Sequence, residues 1–123
     1  MRWLLHGDLT ESVAAALRRH EHVSVLPAEI DLEPGAEFEK VLRAAHIGQL
    51  DIMTNDPKLA ANPFESPVKF GRSIVLLLVQ GVQEQDDSIE RLFARYKRLT
   101  PGRLYTVTPS RVKVRQLPGA GLR

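Results

Sequence analysis

The side chains best suited to acid–base or metal chemistry stand where two apolar runs stop. Leu50-Asp51-Ile52-Met53-Thr54-Asn55-Asp56, followed by Pro57, reads as a short buried strand that ends at a carboxylate. Pro57 has no amide with which to continue a ladder. Thr54 and Asp56 are two residues apart, so their side chains leave the same face of the chain. An earlier run, Arg2 to His6, ends in the same manner at Gly7-Asp8. In open parallel sheets, ligands gather just beyond the carboxyl ends of the strands. Neighbouring strands would therefore bring His6, Asp8, Thr54 and Asp56 together, with Asn55 between the last two. Glu37 and Glu39, in the first turn of the helix before the second run, are close enough to contribute. Converging carboxylates repel one another, and a divalent cation, Mg²⁺ or Mn²⁺, relieves that repulsion. A metal-bound hydroxide attacking a phosphodiester is the chemistry such a site performs. Plainer readings stand beside it. Thr54-Asn55-Asp56-Pro57 is also an ordinary turn sequence, and Glu37 and Glu39 also favour a helix N-terminus.

The elements that must position these residues alternate along the chain. After the strand Arg2 to His6, Thr10 is a plausible N-cap for a helix with Val13, Ala14 and Leu17 on its apolar face. Arg18, Arg19 and His20 close that helix as cations should. His22 to Leu26 alternates like a strand and stops at Pro27, and 28–35 reads as a loop. A second helix spans about Ala36 to His46, with Phe38, Val41, Leu42 and Ala45 at helical spacing and Gly48 as its stop. The strand over 50–54 follows. Strand, helix, strand, helix, strand predicts right-handed crossovers and a parallel sheet. Residues 57–72 carry Pro57, Pro63, Pro67 and Gly71 and read as irregular. Ser73 to Gln80 is the most apolar strand, and Asp86-Asp87-Ser88 reads as the cap of a third helix through Leu99, with Arg91, Arg95, Lys97 and Arg98 on its outer side. A basic hairpin then spans about 103–117. Within it Arg111-Val112-Lys113-Val114-Arg115 alternates three cations with two valines. Those cations suit a phosphate backbone and equally suit the protection of an exposed edge strand. Tyr96 and Tyr105 are expected in the core, which leaves no stacking platform for bases. His20 and His22, across a helix end and a strand start, read as ordinary surface histidines rather than a metal pair.

Composition narrows the classes. At 123 residues the chain is expected to form one domain, 1–123, with a real core. It has no cysteine, which excludes disulfides and thiolate metal sites and suits a cytoplasmic home. Its longest apolar run, Ile74 to Val79, is far short of a membrane span, and the N-terminal run breaks off too early for a secretory signal. Net charge is +2, from 17 basic and 15 acidic residues, so any argument for nucleic acid rests on where the charges sit. There is no Gly-rich phosphate loop.

Several of these motifs, in this order, resemble the PIN-like family, compact relatives of the PIN-domain ribonucleases that serve as toxins in bacterial toxin–antitoxin pairs. Met1-Arg2-Trp3-Leu4-Leu5-His6-Gly7-Asp8-Leu9 resembles the family's opening strand, which ends in Leu-Leu-Asp-Glu-Asn-Leu. Ala16-Leu17 and the Glu39-Lys40-Val41-Leu42 helix follow, then Met53-Thr54-Asn55-Asp56, similar to the family's Thr-Arg-Asp. Val112-Lys113-Val114-Arg115-Gln116-Leu117-Pro118 is similar to its basic closing strand. Three positions depart: His6 stands at the first strand-end aspartate, Asp8 at the neighbouring asparagine, and Lys58 at a second acidic position. The resemblance implies an α/β three-layer fold with a mainly parallel central sheet, helices on both faces and a C-terminal β hairpin. It implies a metal-dependent endoribonuclease in which Asp8, Glu39 and Asp56 are catalytic and, with His6, hold Mg²⁺ or Mn²⁺. His6 is a ligand or a phosphate contact in that scheme, Thr54 and Asn55 support the site, and Arg111, Lys113 and Arg115 meet RNA. The implied partners are RNA, a small antitoxin protein and a second copy of the chain, with no membrane. The alternative is a catalytically degenerate PIN-like module that binds a protein partner or RNA without cleavage. A phospho-acceptor role for Asp56 lacks the acidic pair and strand-end lysine it would need.

Overall fold

The computed structural model describes residues 1–118. Among them lie six strands, four α-helices and a short 3-10 helix over Pro27–Ile30, at the start of the stretch read as a loop. The strands are β1 (Arg2–His6), β2 (Val23–Val25), β3 (Asp51–Thr54), β4 (Ile74–Leu77), β5 (Arg103–Val107) and β6 (Val112–Gln116). The helices are α1 (Glu11–Arg19), α2 (Phe38–Ile47), α3 (Pro57–Glu65) and α4 (Val82–Arg95). One sheet contains every strand in the order β2-β1-β3-β4-β5-β6. The first five strands run parallel and β6 lies antiparallel to β5. This is a three-layer α/β fold, with the C-terminal pair as expected.

Strand alternation divides the interior in two. Trp3, Leu5, Met53, Val75, Leu77 and Tyr105 face α1 and α4, meeting Val13, Ala16 and Leu17 of the first and Ile89, Leu92 and Phe93 of the second. Leu4, Ile52, Ile74, Leu76 and Leu104 face α2 and α3, meeting Val41, Leu42, Ala45, Leu59 and Ala60. All residues of β3 and β4 are buried, which is why both strands lack polar alternation. Fully burying an aliphatic or aromatic side chain of this kind contributes roughly 1.5–3 kcal/mol, so these two layers supply most of the drive to fold.

The layers reveal an irregular connection. From β1 the chain steps outward to β2 by way of α1, then back across β1 to β3 by way of α2. It continues in the same direction to β4 and β5, but α3 lies on the face of α2 whereas α4 lies on the face of α1. Connections of constant hand change face only when the direction reverses. The β4–α4–β5 crossover therefore has the opposite hand to the other three.

Several boundaries differ from those read in the sequence. Residues 57–65, expected to be irregular, form α3: Asp56 caps it, Pro57 occupies its first turn, and Leu59, Ala60 and Pro63 form its buried side. Pro57 needs no amide partner at that position, so a residue that reads as a breaker begins the helix. Helix α4 starts four residues before Asp86, after Gly81 at φ 98°, and ends at Arg95. Asp86 is not its cap and instead pairs with Arg19 of α1 at 2.7 Å. Arg91 is not on an outer side either; half-buried, it donates to the Thr108 carbonyl. Helix α2 begins at Phe38, which makes Glu37 its N-cap residue and leaves Glu39 in its first turn.

Candidate functional site

The parallel register of β1 and β3 sets His6 beside Thr54. Beyond these residues the chains diverge, one into α1 on the first face and the other into α3 on the second. Such a switch point leaves a crevice at the carboxyl end of the sheet. A cleft of about 1030 Å³ opens there, lined by His6, Asp8, Phe38, Glu39 and Asp56 among others.

At its base lies a small hydrogen-bond chain. His6 Nδ1 is 2.9 Å from Thr54 Oγ1, and the Asp56 amide donates to the same oxygen at 3.0 Å. Thr54 is fully buried, and its hydroxyl proton has no other acceptor among the described residues. The hydroxyl therefore donates to Nδ1, which places the proton of a neutral imidazole on Nε2. Burial holds the His6 pKa below its usual value, against the opposing pull of the Asp56 carboxylate. In this state His6 offers the cleft an N–H donor and no nitrogen lone pair.

Asn55 joins the two strand ends from the side. Its Oδ1 accepts from the Asp8 amide at 2.8 Å and its Nδ2 donates to the Asp8 carbonyl at 3.1 Å. This close approach needs Gly7, whose φ of 90° suits glycine and whose position leaves no room for a Cβ beside Asn55 Oδ1. Asp56 spends one oxygen on the Lys58 amide at 2.9 Å as the cap of α3. Glu39 pairs with Arg43 at 3.3 Å, and Glu33 with Lys40 at 3.0 Å. Among the described residues, the carboxylates around the cleft, Asp8, Glu33, Glu37, Glu39 and Asp56, face only Lys40 and Arg43 as counter-charges.

His6, Asp8, Glu39 and Asp56 thus border one cleft, with Thr54 and Asn55 as its supports. They do not form a metal-holding set: among the described residues no three histidine, aspartate or glutamate side chains are grouped to hold an ion. Several of their donor atoms are already engaged within the chain. The Nδ1 lone pair of His6 is taken by Thr54, Glu39 is engaged by Arg43, and one Asp56 oxygen holds the start of α3.

The basic residues lie elsewhere. β3, β4 and β5 separate β6 from β1 in the sheet. Lys113 and Arg115 are exposed on β6, while Arg111 falls in the turn before it. The Arg115 guanidinium sits 3.8 Å from the centroid of the Phe64 ring of α3. Tyr105 is buried, as expected.

Sequence reasoning gave no role to Asp51 and Gln85 and misread His22, and all three have structural work. Asp51, 1% exposed at the amino end of β3, accepts from Arg72 at 3.2 Å and from the Ser73 amide at 2.9 Å. Gln85, equally buried, accepts from both the amide and the hydroxyl of Thr10 and donates to the Val79 carbonyl. His22 is not an ordinary surface histidine, because its Nδ1 accepts the indole N–H of Trp3 at 2.8 Å. Burial, then the N-terminal ammonium and His20, lower its pKa to about 4. The one tryptophan, in a strand buried on both faces, was the signal available: its N–H needs an acceptor. His20 pairs with Glu90 at 3.0 Å.

No helix among the described residues is long and apolar enough to cross a membrane. Compared with protein-family models, curated proteins and solved structures, the chain matches none.

Proposed function

We propose that this chain is a PIN-like module that binds a protein partner and does not cleave RNA. The observation that carries the reading is the Thr54–His6 hydrogen bond. It occupies the one lone pair of a neutral imidazole at the position where the resembled family has an aspartate. Asp8, Glu39 and Asp56 border the same cleft without forming a metal-holding group. With five carboxylates against two cations around it, the cleft repels a phosphate backbone. That favours a protein over RNA as the occupant.

The convergence of His6, Asp8, Glu39 and Asp56 on one cleft supports a second reading, the metal-dependent endoribonuclease. In that reading the chain is a toxin with an antitoxin, a second copy and a cytoplasmic RNA target as its partners.

Thermal unfolding and an RNA cleavage assay with Mg²⁺ or Mn²⁺ separate the two. A ligand that binds only the folded state at a hundredfold excess over its Kd stabilises by roughly 2.7 kcal/mol. Wild type is expected to show neither a metal-dependent rise in Tm nor cleavage of single-stranded RNA. His6→Asp, which supplies an oxygen ligand that Thr54 cannot neutralise, is expected to gain a metal-dependent rise. Cleavage by wild type that Asp56→Asn abolishes would establish the nuclease reading instead.

A further inference from the structure

The two edges of the sheet are treated differently. At the β2 edge only Ser24 turns its backbone outward, because Val23 and Val25 bond to β1. The flanking amides are taken within the chain: His22 N donates to the Leu17 carbonyl and Leu26 N to Glu29 Oε2. That edge is closed. At the other edge the Leu117 amide donates to Gly102 and the Thr108 amide to Arg111. With the β5–β6 register, these bonds place Lys113 and Arg115 in the hydrogen-bonded pairs. Val112 and Val114 therefore point their N–H and C=O away from β5, and among the described residues nothing pairs with them.

Charge singles out the same edge. None of the 15 acidic residues lies beyond Glu90, whereas nine of the 17 basic residues do. Lys113 and Arg115 leave one face of β6, and Val114, 38% exposed, leaves the other.

We propose that β6 is a strand-addition edge for an extended acidic segment of a partner protein. A strand laid along β6 satisfies the donors and the acceptors of Val112 and Val114 together. A nucleic-acid backbone offers phosphate acceptors for the amides, but its donors, the ribose hydroxyls of RNA, do not recur at the strand spacing of the Val112 and Val114 carbonyls. Side chains at alternate positions of the added strand meet Lys113 and Arg115 as carboxylates, and those between them meet Val114 as apolar groups. A second copy of β6 is a poor occupant, because it would set Lys113 and Arg115 against like charges. The inference names a partner chemistry for the binding-module reading and uses a surface away from the cleft. Either one therefore fails without the other.

The test uses an acetylated and amidated peptide of alternating glutamate and valine, its lysine–valine counterpart and a single-stranded polyuridine oligonucleotide. The glutamate peptide is expected to bind and to slow hydrogen exchange at the Val112 and Val114 amides. Val114→Pro removes an outward N–H without touching the β5–β6 ladder and is expected to weaken that binding about tenfold or more. Lys113→Glu with Arg115→Glu is expected to reverse the preference between the two peptides, which decides the matter should the proline variant fail to fold. No amide protection at millimolar glutamate peptide, or undiminished binding by a folded Val114→Pro protein, overturns the proposal. Oligonucleotide binding that the charge reversals abolish, the glutamate peptide does not compete with and Val114→Pro leaves intact would replace it with a nucleic-acid surface.

Discussion

Asn55, Gly7 and Asp8 behave as one unit, and their coupling is measurable. A methyl at Gly7 meets Asn55 Oδ1 and also places an ordinary residue at φ 90°. The backbone component alone costs an L-residue roughly 1–2 kcal/mol. Gly7→Ala should therefore destabilise by about that much plus the clash, and Asn55→Ala should relieve the clash. A double-mutant cycle by chemical denaturation is expected to give a coupling of at least about 0.5 kcal/mol; strict additivity would mean the clasp is loose in solution. Thr54 governs His6 in the same local manner. Thr54→Val removes the hydroxyl proton that neutral His6 accepts, so the His6 pKa should rise in an NMR titration, while burial still holds it below its usual value. The same change strands the Asp56 amide and should cost about 1–3 kcal/mol. An unmoved His6 pKa would contradict the tautomer deduced from the structure.

Helix α4 is held to α1 by polar contacts as well as by their shared apolar layer. Arg19 reaches both Asp86 and Glu90 at 2.7 Å, and Ser12 donates to the Val82 carbonyl at 2.9 Å. The two ion pairs are half exposed, and exposed pairs contribute little, typically under about 1 kcal/mol. Gln85 is the stronger tie, because it is buried and satisfies the Thr10 amide that begins α1. Gln85→Leu keeps volume and loses those bonds, and it should lower stability by about 1–3 kcal/mol. Arg19→Ala is expected to cost less in the same denaturation series. The reverse ranking would assign the α1–α4 contact to surface charge.

For the molecule as a whole, the Trp3–His22 contact predicts sensitivity to acid. His22 accepts the indole proton only when neutral, and its pKa is held at about 4 in the folded chain. Unfolded, it returns to about 6.5. The unfolded state then binds more protons between these values, so stability rises with pH across that interval and falls as pH drops through it. Burial shifts His6 in the same direction and adds to the trend. Tm should fall as pH is lowered from about 6.5 to about 4, and His22→Asn, which keeps an acceptor but does not titrate, should flatten the decline. Equal pH dependence in both proteins would place the acid-sensitive group elsewhere.

Hydrophobic periodicity alone determined most of the architecture: a parallel α/β sheet, a pair of antiparallel C-terminal strands and two strand ends carrying polar residues. Those patterns are local, and burial on one face or both imprints them directly on residues such as Leu4, Leu5, Ile52 and Met53. Proline misled where its role depended on position, since Pro57, a breaker by residue type, begins a helix. The grouping of His6, Asp8, Glu39 and Asp56 along one cleft also followed from strand order. What those residues can do there was decided only by the tertiary structure. Whether an imidazole presents a lone pair depends on a hydroxyl forty-eight positions away, and whether a carboxylate is available depends on the amide or guanidinium beside it. The opposite hand of the β4–α4–β5 crossover is likewise invisible in α4, whose apolar stripe fits either face of the sheet. Only packing against α1, with Gln85 buried between the two, selects one.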